Sequence, residues 1–143
     1  MPTSLLDFFA NTTNLLLSIG VVIVLALIIA NELHSKVLGP KRFSALQLVQ
    51  FINRDTGLVL DIRGQNDYRK GHIAHSKNIP LSDLEKRASE LEKHKSSPIV
   101  LVCALGNTAS TAAAKLKKLG FEPHILVGGL NAWQGASLPV VKA

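Results

Sequence analysis

The 143-residue sequence contains a single cysteine, Cys103, and this scarcity excludes several kinds of site. One cysteine cannot form a disulfide within the chain, and it cannot supply a multi-cysteine zinc or iron–sulfur site. The two-cysteine motif of thioredoxin-like redox proteins is excluded for the same reason. We therefore expect the cysteine to lie in a reducing compartment, and its role becomes the main functional question.

Charged residues are missing from residues 8–31, and the first Lys or Arg of the chain is Lys36. As a helix this stretch is about 36 Å long, enough to cross a hydrocarbon core of roughly 30 Å. A cleaved signal peptide would carry a basic residue before the apolar run and small residues at a cleavage site, and neither is present. A buried helix this apolar would need a larger protein around it. The sequence thus predicts a transmembrane helix over residues 13–31.

Basic residues follow the predicted span and none precedes it, which places the C-terminal part of the chain in the cytoplasm. These residues are Lys36, Lys41 and Arg42. The sequence therefore predicts a short extracytoplasmic N-terminus, the span, a juxtamembrane linker and a soluble domain, at residues 1–12, 13–31, 32–42 and 43–143. Membrane lipid is an expected partner. Ala26 and Ala30 have the four-residue spacing of small residues at which helices approach closely in lipid. The span therefore either binds a membrane-protein partner or serves only as an anchor.

Helical and strand patterns alternate through the soluble domain and predict an α/β fold. "SALQLVQFIN" has apolar residues at helical spacing after the cap Ser44, and "LSDLEKRASELEKH" has Ser82 and Glu85 at capping-box spacing. "NTASTAAAKLKKLG" is an Ala-rich helix ended by Gly120. The apolar runs in "GLVLDIR", "SPIVLVC" and "FEPHILVGG" are typical of buried strands. The order predicts a parallel sheet with helices on both faces.

Cys103 ends one of these strands and is followed by "ALGNT" and a helix. In open parallel sheets reactive groups lie at the carboxyl ends of strands, and a helix N-terminus favours a thiolate placed against it. Gly106 can adopt backbone angles closed to other residues, and Thr108 can cap the helix or line the loop. From these residues alone, a nucleophilic thiolate and a buried cysteine in a capping turn are equally good interpretations.

Other cysteine chemistries are tested by spacing. Cysteine phosphatases place Arg six positions after the nucleophile, where this chain has Ala109, so phosphoryl transfer is disfavoured. A Cys–His hydrolase needs a histidine beside the thiol, and the sequence places none there. A redox relay within the chain would need a second, resolving cysteine.

Three ordered motifs resemble those of the rhodanese-like domain family. "LVLDIRGQNDYRKGHIAHSKNIPLSDL" resembles its first half, "IVLVCALGNTASTAAAKLKKLGF" its active-site strand, loop and helix, and "VLVGGLNAWQGASLPVVK" its closing segment. The resemblance covers the soluble part of the chain. With the apolar segment in front, it extends to the single-pass rhodanese-like proteins of the inner membrane of Gram-negative bacteria.

The resemblance implies a sulfurtransferase, in which a cysteine takes sulfane sulfur from a small donor, holds it as a persulfide and passes it to cyanide or an acceptor thiol. Cys103 corresponds to the nucleophile, and the persulfide loop corresponds to Ala104, Leu105, Gly106, Asn107 and Thr108. No cofactor, metal or nucleic-acid partner is expected. Many active members carry a basic residue in the loop, whereas this loop is uncharged. An alternative is therefore a rhodanese fold kept as a membrane-tethered binding module with weak or no catalysis.

The remaining motif residues favour structural roles. We expect Asp61 and Arg63 to form hydrogen bonds or an ion pair that fixes neighbouring loops, with a catalytic role as the alternative. Gly71 and His72 are expected to form a turn rather than a metal site. Trp133 is expected to pack in the core. The Lys and Arg residues of "KLKK" and "EKRASELEKH" indicate a solvated face, with contact to anionic lipid as the alternative.

Overall fold

The computed structural model of the chain describes residues 11–143, without the side chains of residues 34–38. Its first element, α1 (Thr12–Leu38), is capped by Asn11, whose side chain accepts a hydrogen bond from the Thr13 N–H at 3.1 Å. The predicted extracytoplasmic segment, residues 1–12, lies almost entirely outside the described residues. The helix extends seven residues beyond the predicted end of the span, into the predicted linker, because no Gly or Pro interrupts it before Gly39 and Pro40.

The part of α1 from Thr12 to Leu33 is long and apolar enough to cross a membrane. Its large aliphatic side chains, from Leu15 to Leu33, each have 44% to 65% of their surface exposed. The Ser18 hydroxyl donates to the Asn14 carbonyl at 2.7 Å, so this polar group is satisfied within the helix. An apolar surface of this extent is typical of a helix that contacts lipid or another protein.

The second compact unit of the chain, Pro40–Ala143, carries a five-stranded parallel sheet with strand order β1-β5-β4-β2-β3. This confirms the predicted parallel α/β fold. In chain order the elements are β1 (Arg42–Phe43), α2 (Ala45–Asn53), β2 (Leu58–Asp61), α3 (Gln65–Lys70), β3 (Lys77–Asn78), two 3₁₀ segments (Leu81–Asp83 and Ala88–His94), β4 (Pro98–Val102), α4 (Ala109–Lys118), β5 (Glu122–Leu126) and α5 (Gly129–Gly135).

The core lies on both faces of the sheet, and β4 at its centre is buried from both sides. Side chains alternate along a strand, so Ile99 and Leu101 face one cluster while Val100 and Val102 face the other. The first cluster includes α4 and the 3₁₀ segments, and the second includes α2 and α5. Burial on both faces explains why β4 is continuously apolar in sequence.

Helix α2 begins with the cap that its sequence predicts. The Ser44 hydroxyl accepts from the Gln47 N–H at 3.3 Å, and the Gln47 side chain accepts from the Ser44 N–H at 2.8 Å, which forms a complete capping box. These two bonds satisfy backbone donors that a helix start would otherwise leave without partners.

We expect Ser44→Ala to lower the free energy of unfolding by about 1 kcal/mol, because one of the reciprocal capping bonds is lost. Urea titration of the full chain in detergent, followed by the fluorescence of the single tryptophan, Trp133, would measure it. Ser110→Ala, at an exposed position of α4, is the matched control and should change stability by less than about 0.5 kcal/mol. Equal effects of the two substitutions would contradict the capping role.

The prediction of one regular helix over "LSDLEKRASELEKH" is wrong, because the segment forms two 3₁₀ segments separated by turns. A 3₁₀ helix aligns residues three apart, and this brings Leu81 with Leu84, and Ala88 with Leu91, against the core. The Ser82 hydroxyl donates to the Asp83 carboxylate at 3.3 Å instead of capping a helix.

Glutamates in this segment form ion pairs. The Glu85 carboxylate lies 3.1 Å from the Lys115 ammonium of α4 instead of completing a capping box. Hydrogen bonds from Arg87, and then from Lys77, lower the pKa of Glu90 to about 2. Glu90 therefore keeps its charge, and its ion pairs, throughout the neutral and mildly acidic range.

Candidate active site

Cys103 directly follows β4, at the carboxyl end of the central strand of the sheet. The chain runs from β2 outward to β3 and then returns to form β4 on the other side of β2, so the strand order reverses between β2 and β4. Ligands of open α/β sheets bind at such reversal points, outside the carboxyl ends of the strands. The position of the thiol is therefore that of a reactive group.

The loop after Cys103 directs a backbone amide, rather than a side chain, to the sulfur. The Gly106 N–H donates to the Cys103 Sγ at 2.8 Å. Gly106 has φ +91°, which strains any residue with a Cβ, and a Cβ at this position would make a tight contact, 3.0 Å from the Gly128 nitrogen. A backbone N–H that donates to a sulfur is the kind of contact that favours a negative charge on it.

The other residues of the loop face outward. Ala104, Leu105, Asn107 and Thr108 are exposed, with 60% of the Leu105 surface accessible, while Cys103 itself is 3% exposed. Thr108 occupies the position before α4, but its hydroxyl makes no capping hydrogen bond. The capping role considered for Thr108 is therefore not seen in the structure.

A second helix N-terminus supports the loop from behind, and the sequence analysis did not foresee this contact. The N–H groups of Leu130 and Asn131, at the start of α5, donate to the carbonyls of Cys103 and Ala104 at 2.8 and 3.0 Å. A Cβ on Gly129 would lie 2.1 Å from the Cys103 carbonyl oxygen. The adjacent glycines, Gly128 and Gly129, are the sequence signal that marks this close approach, and both have positive φ.

Asp61 and Arg63, at the end of the neighbouring strand β2, form the structural ion pair that the sequence predicts. Asp61 is fully buried and pairs in register with Val102, the residue before Cys103. Its carboxylate accepts from the Arg63 Nη2 at 2.7 Å and from the Arg63 backbone N–H at 3.0 Å. The Arg63 Nη2 also donates to the Gly71 carbonyl at 2.7 Å, which ties the end of β2 to the turn after α3.

Asn78 was not singled out from the sequence, yet it joins the same network. Its side-chain NH₂ donates to the carbonyls of Asp61 and Arg63 at 3.0 and 2.9 Å. A lone asparagine in a short strand carries no sequence signal for this role, since the bonds span 15 and 17 residues. The network fixes the backbone beside the cysteine loop.

The histidines with described ring contacts are engaged elsewhere. His72 stacks on Tyr68 with ring centroids 3.8 Å apart and bonds to the Tyr68 carbonyl, as expected for a structural turn. His124 accepts from the Lys41 N–H and contacts the Glu122 carboxylate. Within residues 11–143, no group of three or more His, Cys, Asp or Glu is placed to hold a metal ion.

Trp133 lies in the core, as predicted, and its indole N–H donates to the Pro139 carbonyl at 2.9 Å. This bond satisfies the one polar group of a buried ring. It also ties α5, which supports the cysteine loop, to the C-terminal segment.

A parallel α/β sheet that presents one cysteine in an amide-lined loop at a strand reversal point defines the class of the domain: a thiol-bearing α/β domain. Comparison with known proteins makes the assignment specific. The family model described as the rhodanese-like domain matches residues 44–136, and the chain belongs to this family.

Two relatives and a solved structure extend the comparison. YibN of Escherichia coli strain K12 is 33% identical over 129 residues, which cover 89% of this chain and 90% of YibN. The thiosulfate sulfurtransferase GlpE of Pseudoalteromonas translucida is 33% identical over 97 residues, or 67% of this chain and 90% of GlpE. A rhodanese-related protein from Thermoplasma volcanium, 32% identical, superposes with a TM-score of 0.63 over 71% of this chain and 97% of its own.

Proposed function

We propose that the protein is a membrane-anchored sulfurtransferase that carries sulfane sulfur as a persulfide on Cys103. The observation that carries this proposal is the Gly106 N–H at 2.8 Å from the Cys103 Sγ, in a loop held between the start of α4 and the start of α5. A loop of this kind stabilises a thiolate before the reaction and a persulfide anion after it. Similarity to a thiosulfate sulfurtransferase supports the same chemistry.

The reaction has two displacement steps. The Cys103 thiolate attacks the outer sulfur of a donor such as thiosulfate, a new S–S bond forms, and the old S–S bond breaks with its electron pair leaving on sulfite. The thiolate of an acceptor, or cyanide, then attacks the terminal sulfur of the persulfide. The Cys103 thiolate is released, and the product is a new persulfide or thiocyanate. Sulfur moves without a net change in the oxidation state of the protein.

The charge near the loop favours a weakly charged donor over thiosulfate. Residues 104–108 contain no Lys or Arg, and Arg63, on the neighbouring strand end, is already bound to the buried Asp61 carboxylate. A dianion such as thiosulfate therefore gains little electrostatic attraction at the loop. A thiol or persulfide group beside the exposed Leu105 does not depend on such attraction. We propose a small persulfide donor and a thiol acceptor as the physiological partners.

We expect the purified full chain, incubated with thiosulfate or an organic persulfide, to gain the mass of one sulfur atom, and Cys103→Ser to gain none. Cys103 is the only cysteine, so intact-mass spectrometry assigns the sulfur without ambiguity. Because cysteine and serine side chains are close in volume, the free energy of unfolding of the variant should lie within about 1 kcal/mol of that of the wild type. Failure of the wild-type chain to gain sulfur from any donor would contradict the enzyme and favour the binding module.

Leu105→Arg is expected to lower the KM for thiosulfate by about three- to tenfold, because it places a positive charge where a dianion approaches. The effect should shrink in high salt, which screens exposed charges. Leu119→Arg is the matched control, since Leu119 is also exposed but follows the opposite end of α4. If the KM for thiosulfate is the same for both variants, the absence of charge in the loop is not what limits the binding of thiosulfate.

The anchor and its orientation are the remaining part of the proposal. We propose that α1 lies in the bacterial inner membrane with the N-terminus outside and the rhodanese-like domain in the cytoplasm, as the basic residues after the span favour. Lipid and a second membrane protein are its proposed contacts, the latter through the small residues Ala26 and Ala30. Resistance of the protein to alkaline extraction, together with protease access to the domain only from the cytoplasmic face, would test this arrangement.

A further inference from the structure

A cavity of about 380 Å³ lies between α2 and β1, and residues 103–108 do not contribute to it. Three of the residues that line it are cations: Lys41, Arg42 and Arg54. All three are exposed, and none of them takes part in an ion pair within the described part of the chain. No carboxylate is among the described residues that line the cavity. Three unneutralised cations around one concavity create a local positive potential that favours an anionic ligand.

The other polar side chains of the cavity, Gln47, Gln50 and Thr56, each carry a group that can donate a hydrogen bond to the same kind of ligand. Gln47 and Gln50 line it from α2. The Gln47 oxygen already accepts the Ser44 N–H at 2.8 Å, which leaves the NH₂ group of this side chain as its donor. Guanidinium and amide N–H groups together match the oxygens of a phosphate, because each oxygen accepts more than one hydrogen bond.

Apolar surface adjoins the cations. The rings of Phe43 and Phe51, in edge-to-face contact with centroids 5.7 Å apart, line the cavity. Leu46, one turn before Gln50 on α2, has 67% of its surface exposed. A cationic rim beside an exposed aliphatic side chain suits an amphiphile better than a small hydrated ion, since the two parts of an amphiphile contact the two kinds of surface.

The position of the cavity in the chain indicates where such an amphiphile comes from. The apolar span ends at Leu33, and the first cation of the cavity, Lys41, follows eight residues later. Even fully extended, eight residues reach only about 28 Å. If α1 crosses the membrane, Lys41 is thus tethered within about 28 Å of the end of the span, within reach of the lipid headgroups on the side of the domain.

We propose that this cavity binds the phosphodiester headgroup of an anionic phospholipid, with Arg42, Arg54 and Lys41 on the phosphate and Leu46 against the acyl boundary. The inference rests on the membrane anchoring proposed above but not on the sulfur chemistry. Bound in this way, a lipid fixes the rhodanese-like domain at the membrane surface, so that the anchored chain meets donors and acceptors there and not in bulk cytoplasm.

Native mass spectrometry of the full chain in detergent, titrated with phosphatidylglycerol or with phosphatidylcholine, tests the proposal. We expect the wild type to bind one more phosphatidylglycerol than phosphatidylcholine, and Arg42→Gln/Arg54→Gln to weaken that binding about thirtyfold, because each of the two basic residues near a lipid surface contributes roughly 1 kcal/mol. Arg69→Gln/Lys142→Gln removes the same charge from exposed sites outside the cavity and should bind as the wild type does. Lys41→Gln/Arg54→Gln is a second variant, in case the first is unstable.

Each remaining outcome has a defined meaning. Equal binding by the cavity and control variants would overturn the proposal, and so would displacement of the lipid by millimolar inorganic phosphate, which would assign the cavity to a soluble anion. Persulfide formation on Cys103, measured on the same samples, should be equal in all variants because the cavity does not include the cysteine loop. A chain that binds lipid as expected but never forms a persulfide would overturn the proposed enzyme and leave the lipid site standing.

Discussion

Arg63→Ala is expected to lower the free energy of unfolding by about 3–5 kcal/mol, because it leaves the fully buried Asp61 carboxylate without its counterion. Among the described residues, all hydrogen bonds to the oxygens of that carboxylate come from Arg63, through its backbone N–H, Nε and Nη2. Only the backbone bond survives the substitution. The loss of the Arg63 bond to the Gly71 carbonyl also frees the turn after α3. Denaturant unfolding followed by Trp133 fluorescence measures the effect.

Two comparisons separate the buried charge from other effects of the substitution. Arg69→Ala removes an exposed arginine six residues away and should cost less than about 0.5 kcal/mol. The double variant Asp61→Asn/Arg63→Met removes both charges at similar volume and should lie closer to the wild type than Arg63→Ala does. If Arg63→Ala costs no more than Arg69→Ala, the ion pair does not support the end of β2.

Gly129→Ala is expected to cost about 3 kcal/mol or more and to abolish persulfide formation. Gly129 has φ +59°, a conformation that costs a residue with a Cβ about 1–3 kcal/mol. The added Cβ would also lie 2.1 Å from the Cys103 carbonyl oxygen and 2.8 Å from the Ala104 carbonyl carbon. Both atoms belong to the backbone of the cysteine loop, so the loop itself must move to relieve the clash. Unfolding free energy and sulfur gain by intact mass report the two effects.

Gly135→Ala is the matched control in the same helix. A Cβ there meets no atom within 4 Å, and Gly135 does not have a positive φ. Because alanine is a better helix former than glycine, this variant should be as stable as the wild type or slightly more so, with normal sulfur gain. A Gly129→Ala chain that matches Gly135→Ala in both measurements would show that the contact between α5 and the loop is not needed.

The local patterns of the sequence predicted the elements whose formation depends on near neighbours. The alternation of apolar strands and helices predicted the parallel sheet, and the cap residue Ser44 marked the start of α2. The apolar segment predicted a helix able to cross a membrane, and the helix continues beyond Asn31, to Leu38. The capping-box spacing of Ser82 and Glu85 predicted an α-helix that does not form. Core packing of residues three apart favours 3₁₀ geometry there.

What the sequence by itself determined is the position of Cys103 at a strand end, the flexible Gly106 after it and the pairing of Asp61 with Arg63, because each depends on residues within a few positions of one another. Only the tertiary structure decided that α5 donates two amides to the carbonyls of the cysteine loop and that Asn78 joins two backbone carbonyls of the neighbouring strand end. It also decided that Lys41, Arg42 and Arg54 surround one cavity. These contacts join residues more than ten positions apart, and such distances are set by the packing of the whole sheet and not by local propensity.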